Sequence, residues 1–229
     1  MDNTETRGEN AMEVALARLR DMFLFGQLLP GEQIRQQQIA EEVGVSRVPL
    51  REALNVLAKQ GALLHRPNQG YFVAKRLPIE QAQIRRMLEL LEDELVNSLA
   101  WPDEATWGRL AVLQEGMRSL VEADDWTAML KLNRQFHFEM FGLSPYKLIL
   151  EQVDRLWTLA EPYTAAKLSN VDARRRTIAE HDELLNALQQ RDRGKCVRIL
   201  QQHRSGRAGG NNYELPAASE HVSIKYIQK

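Results

Sequence analysis

Two sets of side chains in this sequence have the types and spacing to do chemistry. The first is a histidine set in the second half of the chain. Asn133 and His137 are four residues apart, which puts both on one face of a helix. His181 falls midway along a later helical segment, and His203 lies near the end of the last one. Histidines on three different helices can converge in the core of a bundle, as metal sites in bundles do. A lone histidine is more often a satisfied core or surface residue, and His65 and His221 are read that way. The second set is basic and polar. Arg47 and Arg51 are also four apart, so both can point into a groove. The arginine guanidinium is a planar fork that matches guanine or a phosphate.

The segments around these residues say how they would be held. An apolar face from about Ala11 to Phe25 predicts a first helix, stopped by Gly26 and followed by the turn Leu29-Pro30-Gly31. A short helix over Arg35–Val43 closes at Gly44. Ser46 is placed as the N-cap of the next helix, with Pro49 in or near its first turn and Gly61 at its stop. The start of that helix has unpaired N–H groups that suit a phosphate or a base edge. Two short apolar runs around the turn Pro67-Asn68-Gln69-Gly70 predict a β-hairpin. Gly70 at its tip allows close approach to a minor groove, with Arg66, Asn68 and Gln69 as polar neighbours. Helix, helix, short turn, helix and hairpin form a winged helix-turn-helix, a design for the major groove.

Pro78 marks a boundary, and the rest reads helical: near Ile79–Leu99, Pro102–Ala123, Asp125–Phe141, Pro145–Leu168, Val171–Arg191 and Arg193–Ser205. Asp103, Asp124 and Ser144 stand where caps or first-turn anions belong. Met140, Trp157 and Tyr163 are read as core or pocket lining. The expected fold is mainly α, a winged helix-turn-helix of three helices plus a wing followed by an all-α antiparallel bundle of six or so helices. The expected units are residues 1–76, 77–206, and a flexible tail over 207–229.

Composition sets outer bounds. The chain has 229 residues, 44% hydrophobic and 27% charged, which is ordinary for a folded soluble protein. No apolar run is long enough for a membrane span, and the N-terminus has no export pattern. One cysteine, Cys196, excludes an intramolecular disulfide and fits a reducing cytoplasm, the expected location. The net charge of −1 conceals a local asymmetry: from Ile34 to Arg76 there are seven basic residues against three acidic ones, a net +4. A basic patch of that kind can attract phosphates.

Residues Gly26 to Val73 resemble the winged-helix domain of the GntR family of bacterial regulators. The resemblance rests on Pro30-Gly31, Ile39-Ala40, Val45-Ser46-Arg47, Pro49, Arg51-Glu52-Ala53-Leu54, Leu57, Gly61, Gly70 and Phe72-Val73. It implies operator contacts from Ser46, Arg47, Arg51 and the wing tip at Gly70, with Arg35 and Gln37 as further candidates. Arg66 and Gln69 of the wing complete the expected DNA-binding set, and Glu52 is expected to be structural or orienting. The helical remainder resembles the FCD ligand-binding domain of the FadR-like subgroup. That subgroup shows Asp-x-x-x-His, then Glu-His, then a last histidine, matched here by Asn133-x-x-x-His137, Glu180-His181 and His203. The implied metal ligands are Asn133, His137, His181 and His203, and imidazole suits zinc or nickel. Asn133 departs from the aspartate of the pattern, and a neutral amide is the weaker ligand. Arg85 with Glu89 matches the subgroup's Arg-x-x-x-Glu, in which the arginine can pair with an effector carboxylate. The alternative for that pair is an i,i+4 surface ion pair.

The expected function is a homodimeric transcription regulator, repressor or activator, on a palindromic operator in double-stranded DNA. A small carboxylate effector beside a divalent metal would control its operator affinity. One alternative is a metal-dependent helical enzyme. It would need an acid/base carboxylate at the metal; the nearest in sequence are Glu139, Glu180 and Asp182, without HExxH spacing. The other is an effector-independent DNA-binding protein.

Overall fold

Apolar residues at helical spacing fold the first part of the chain around one cluster and the second part around another. In the computed structural model, which describes residues 5–124, 126–164, 168 and 170–206, the elements run in chain order. They are α1 (Glu5–Leu24), α2 (Gln36–Val43), α3 (Arg47–Lys59), β1 (Leu63–Arg66) and β2 (Gly70–Val73). Then follow α4 (Pro78–Ser98), α5 (Glu104–Ser119), α6 (Thr127–Phe141), α7 (Lys147–Thr164), α8 (Val171–Gln189) and α9 (Arg193–Gly206).

The first cluster gathers Leu19 and Phe23 of α1, Ile39 of α2, Leu50, Leu54 and Leu57 of α3, and Leu63, Tyr71 and Val73 of the hairpin. Gly44 ends α2 in the left-handed region at φ 74, and its N–H reaches the Ala40 carbonyl at 3.0 Å. That geometry is inexpensive only without a Cβ, and it turns the chain sharply into α3. Ser46 occupies the N-cap position of α3, but its side chain makes no capping hydrogen bond. The residue is exposed at the start of the helix. Strands β1 and β2 pair antiparallel, from Leu63 opposite Val73 to Arg66 opposite Gly70. A third segment joins them: Gln33 bridges Phe72, the Ile34 N–H donates to the Tyr71 carbonyl at 2.8 Å, and the Val73 N–H donates to Glu32.

The second cluster fills the bundle, with Leu95, Leu110, Phe136, Met140, Phe141, Trp157, Leu184, Cys196 and Leu200 at its centre. Burial pushes the Cys196 thiol up to about 11, so it stays protonated and inert at neutral pH. Several boundaries differ from expectation. Helix α1 starts at Glu5 rather than near Ala11, because its first turns are polar and carry no apolar period. Helix α6 begins at Thr127 with Trp126 at its N-cap, so Asp124 is not a cap. Ser144 Oγ accepts from the Tyr146 N–H at 3.1 Å ahead of α7, which spans Lys147–Thr164 rather than Pro145–Leu168. Asp103 caps α5 as expected, accepting from the Thr106 N–H at 2.8 Å. The tail over 207–229, His221 within it, and the Tyr163 side chain lie outside the described residues.

The two clusters meet where α1 lies against α6 and α7. Arg20 reaches Asp154 at 3.3 Å, Lys131 reaches Asp21 at 2.9 Å, and Leu24 packs with Leu130. Arg155 Nε donates to the Gln60 carbonyl at 3.0 Å, which fastens the end of α3 to α7 as well.

Candidate metal centre and nucleic-acid interface

Three helices bring the histidines together: α6 carries His137, α8 carries His181 and α9 carries His203. All three are buried, at 0%, 1% and 3% exposure. The Nε2 atoms face one another, 3.2 Å between His181 and His137 and 3.3 Å between His137 and His203. An imidazole nitrogen offers either one N–H or one lone pair in its ring plane. His137 Nε2 therefore cannot make good hydrogen bonds to both neighbours at once. A cation that collects three lone pairs removes the conflict. Metal–nitrogen bonds of about 2.0–2.1 Å at tetrahedral or square angles hold nitrogens roughly 2.9–3.4 Å apart, the spacing found here.

The surrounding contacts fix the rings. His203 Nδ1 lies 2.5 Å from Glu180 Oε2. A carboxylate there claims the Nδ1 proton and leaves Nε2 as the lone-pair nitrogen, the carboxylate–histidine arrangement that supports metal ligands. His181 stacks on Phe136, with centroids 4.3 Å apart and planes 7° apart, and His137 packs against Trp157 at 5.3 Å. One turn before His137, Asn133 is buried and its Oδ1 has no hydrogen-bond partner among the described residues. Such an orphaned oxygen costs about 1–3 kcal/mol, and a bound cation or its ligand water would satisfy it. The donor set of three imidazoles and one neutral oxygen thus fits a divalent transition metal.

The three carboxylates nearest the histidines in sequence each have a partner among the described residues. Glu180 backs His203; Glu139 pairs with Arg109 at 2.7 Å; Asp182 accepts from Arg118 and from Gln114, both at 2.8 Å.

A polar network missed by the sequence reading surrounds the cluster. Glu92, 1% exposed, accepts from Trp157 Nε1 at 2.7 Å and from Arg204 at 2.8 Å, and Arg204 also holds Asp93. Arg204 follows His203 directly, so this network pins the end of α9 that carries the last histidine. The signal lay in α4, where Glu92 occupies the inward phase of Ile84, Leu88 and Leu95. A second network joins α6 to α7: Arg134 pairs with Asp154 at 2.5 Å and with buried Glu161. Arg85 is half-buried and has no ion-pair or hydrogen-bond partner among the described residues. Glu89 pairs with Arg86 at 3.0 Å, so the alternative i,i+4 pair between Arg85 and Glu89 does not form. Seven residues separate Arg85 from Glu92, so both lie on one face of α4.

At the other end, the start of α2 gathers the predicted reading elements. Arg47 Nε donates to Gln37 Oε1 at 2.8 Å, which ties the first turn of α3 to α2. A Cβ on Gly70, at φ 90, would lie 3.5 Å from Gln36 Nε2, so the wing tip lies against the same turn. Gln33 Nε2 donates to the Gln69 carbonyl at 2.7 Å and anchors that tip. Arg35, Ser46, Arg47, Arg51, Arg66 and Gln69 are all exposed. Arg66 lies over the Phe72 ring at 4.6 Å. Arg35, Arg51 and Arg66 have no carboxylate partner among the described residues, so their charge is not neutralised locally. Glu52 is exposed and makes no ion pair there, so an orienting role is not seen. No described helix is long and apolar enough to cross a membrane.

Comparison with known proteins bears on both halves. Residues 12–73 match the family model of bacterial regulatory proteins of the gntR family, and residues 81–206 match the FCD domain model. The chain is 30% identical over 176 residues to the Nta operon transcriptional regulator of Aminobacter aminovorans, covering 76% of this chain and 81% of that protein. It is 30% identical over 190 residues to the HTH-type transcriptional regulator McbR of Escherichia coli, covering 80% and 84%. In fold it is similar to the solved structure of E. coli McbR/YncC, with a TM-score of 0.76 at 24% identity over 85% of this chain and 93% of that one. A transcriptional regulator structure from Rhodococcus gives a TM-score of 0.70 at 21% identity over 87% and 96%. With its winged helix and its helical half both matched, the chain belongs to the GntR family of bacterial regulatory proteins and is a DNA-binding transcription regulator with an FCD domain.

Proposed function

We propose that this regulator adjusts its affinity for operator DNA in response to a small carboxylate that binds beside a divalent metal in the helical unit. The observation that carries the reading is the trio of buried Nε2 atoms, those of His181 and His203 lying 3.2 and 3.3 Å from that of His137, with Glu180 behind His203. His137, His181, His203 and Asn133 would hold zinc or nickel, with positions left open for outside ligands. When bound, the metal would supply a Lewis-acid anchor for an anionic oxygen. Arg85 would pair with the carboxylate, since it is half-buried on the Glu92 face of α4 and lacks a partner among the described residues.

Residues 1–76 would be the output unit and residues 77–206 the sensing unit. Helix α6 supports a physical link between them. It carries Asn133 and His137, and Lys131 and Arg134 on the same helix hold Asp21 of α1 and, through Asp154, Arg20 of α1. A ligand moves the equilibrium only by its differential affinity for two arrangements. A shift of α6 is one that α1 would feel. Two copies on a palindromic operator would place two α3 helices in successive major grooves.

The test is operator binding by fluorescence anisotropy, with metal-loaded protein and a panel of small mono- and dicarboxylates. At least one should change the dissociation constant by about 5- to 150-fold, the span of ordinary allosteric coupling. Arg85→Ala should abolish that response and leave ligand-free binding intact. A flat response from the whole panel sinks the carboxylate reading. On the output side, Arg51→Ala should weaken specific binding by about 1–3 kcal/mol in a gel-shift titration. Unchanged binding would remove Arg51 from the interface.

A further inference from the structure

Arg47 is held in one orientation by a two-residue relay from α2. Its Nε and Nη2 both donate to Gln37 Oε1, the former at 2.8 Å, and Gln37 Nε2 donates to Glu41 Oε1. The order of these bonds is forced by chemistry. A carboxylate can only accept, so Glu41 claims the amide nitrogen of Gln37, and the amide oxygen must then face Arg47. A guanidinium has five N–H donors, and the edge formed by Nε and Nη2 is occupied. The Nη1–Nη2 end remains as a free fork on an exposed residue in the first turn of α3.

We propose that Gln37 and Glu41 are positioning residues that aim the Nη1–Nη2 fork of Arg47 at the N7 and O6 of one guanine in each operator half-site. This rests on the reading of α3 as the helix that enters the major groove. Guanine presents two adjacent acceptors there, and a fork of that shape takes both. The neutral amide between Arg47 and Glu41 matters electrostatically. It fixes the guanidinium without an anion touching it, so the full positive charge remains for DNA. A direct carboxylate contact would hold the arginine as well but would compete with the nucleic acid. Gln37, expected from the sequence to touch DNA, is thereby assigned to Arg47 instead.

The experiment is in vitro selection from a random duplex library with wild type, Arg47→Ala, Gln37→Ala, Glu41→Ala and Glu41→Gln, each checked for native circular dichroism. Wild type should select a two-fold motif with one strongly preferred guanine per half-site. Arg47→Ala and Gln37→Ala should lose preference at that same position and keep the rest of the motif. Gln37→Ala should bind the wild-type motif about 3- to 30-fold more weakly, because Arg47 regains the rotamer freedom that the relay removes. Glu41→Ala should show a smaller loss at the same position, and Glu41→Gln, which still offers an acceptor oxygen, should restore the preference. Loss at a different position in Gln37→Ala would make Gln37 a direct base reader and overturn the relay. Full retention of the guanine in that variant would also overturn it. Absence of any selected motif in wild type would instead overturn the reading of α3 as a sequence reader, and the relay with it.

Discussion

Arg134→Ala should lower the unfolding free energy by about 3–5 kcal/mol near neutral pH, the cost of breaking a buried ion pair by removing one side of it. Arg134 sits between Asn133 and His137 on α6 but points to α7, where it pairs with Asp154 at 2.5 Å and with Glu161, and it lies over Phe138 at 4.6 Å. Glu161 is only 4% exposed. Burial holds its carboxyl above the ordinary glutamate range, and Arg134 pulls it back down. Without Arg134 the group rises further, and it can limit its cost by taking up a proton. The sign follows from linkage. A carboxyl raised in the folded state binds a proton that the unfolded chain has released, so stability is full below the unfolded value and falls as pH rises through the folded one. The variant should therefore lose stability relative to wild type as pH rises above the ordinary glutamate range, read by comparison at about pH 5.5 and about pH 8. Urea unfolding at those two pH values measures it. Arg134→Ala with Glu161→Gln should remove the added pH dependence and recover most of the loss. A variant with wild-type stability at both values would show that the pair contributes nothing.

The output half was legible because short-range rules dictate it. Gly44 at a helix end, Ser46 at the next start and the Pro-Asn-Gly turn of the wing each follow from local backbone preference, and all appear where expected. The convergence of His137, His181 and His203 was legible too, since three helices of one bundle can bring them to a common core. What escaped depends on partners distant in sequence. The pairing of Gln33 with Phe72 is a single bridge with no alternating pattern to announce it. The Gln37 amide meets the guanidinium of Arg47 ten residues on, a contact that the spacing of the two residues does not announce. Glu92 was passed over although its helical phase is inward, because its partners Trp157 and Arg204 come from two other helices. Sequence spacing leaves Arg85 either an effector-facing arginine or the i,i+4 partner of Glu89, and it takes the rotamer of Glu89, turned to Arg86, to tell against the pair.

His137→Ala should remove bound metal altogether, because His137 Nε2 is the atom that both other imidazoles approach. Wild type prepared without chelator should carry about one zinc or nickel per chain by elemental analysis, on the donor count of a three-histidine site. The variant should carry almost none. The supporting groups should act less severely and in both directions. Glu180→Gln removes the carboxylate that fixes His203, and loss of such a partner weakens metal affinity about 10- to 100-fold. Asn133→Asp should do the opposite. It puts an anion where a neutral, unpartnered oxygen now lies, and a unit charge near a dication in a partly shielded site contributes several kcal/mol before desolvation is subtracted. A gain of about tenfold or more in affinity is therefore expected. Competition with a metal-sensitive dye gives all three numbers, and thermal unfolding gives an independent readout. Excess metal should raise the melting temperature of wild type and Asn133→Asp, and leave that of His137→Ala unmoved. If wild type neither retains metal nor gains stability from it, the histidine cluster is structural and the carboxylate reading loses its anchor. If it binds metal but Asn133→Asp changes nothing, the fourth position belongs to water or effector, and Asn133 is only a neighbour.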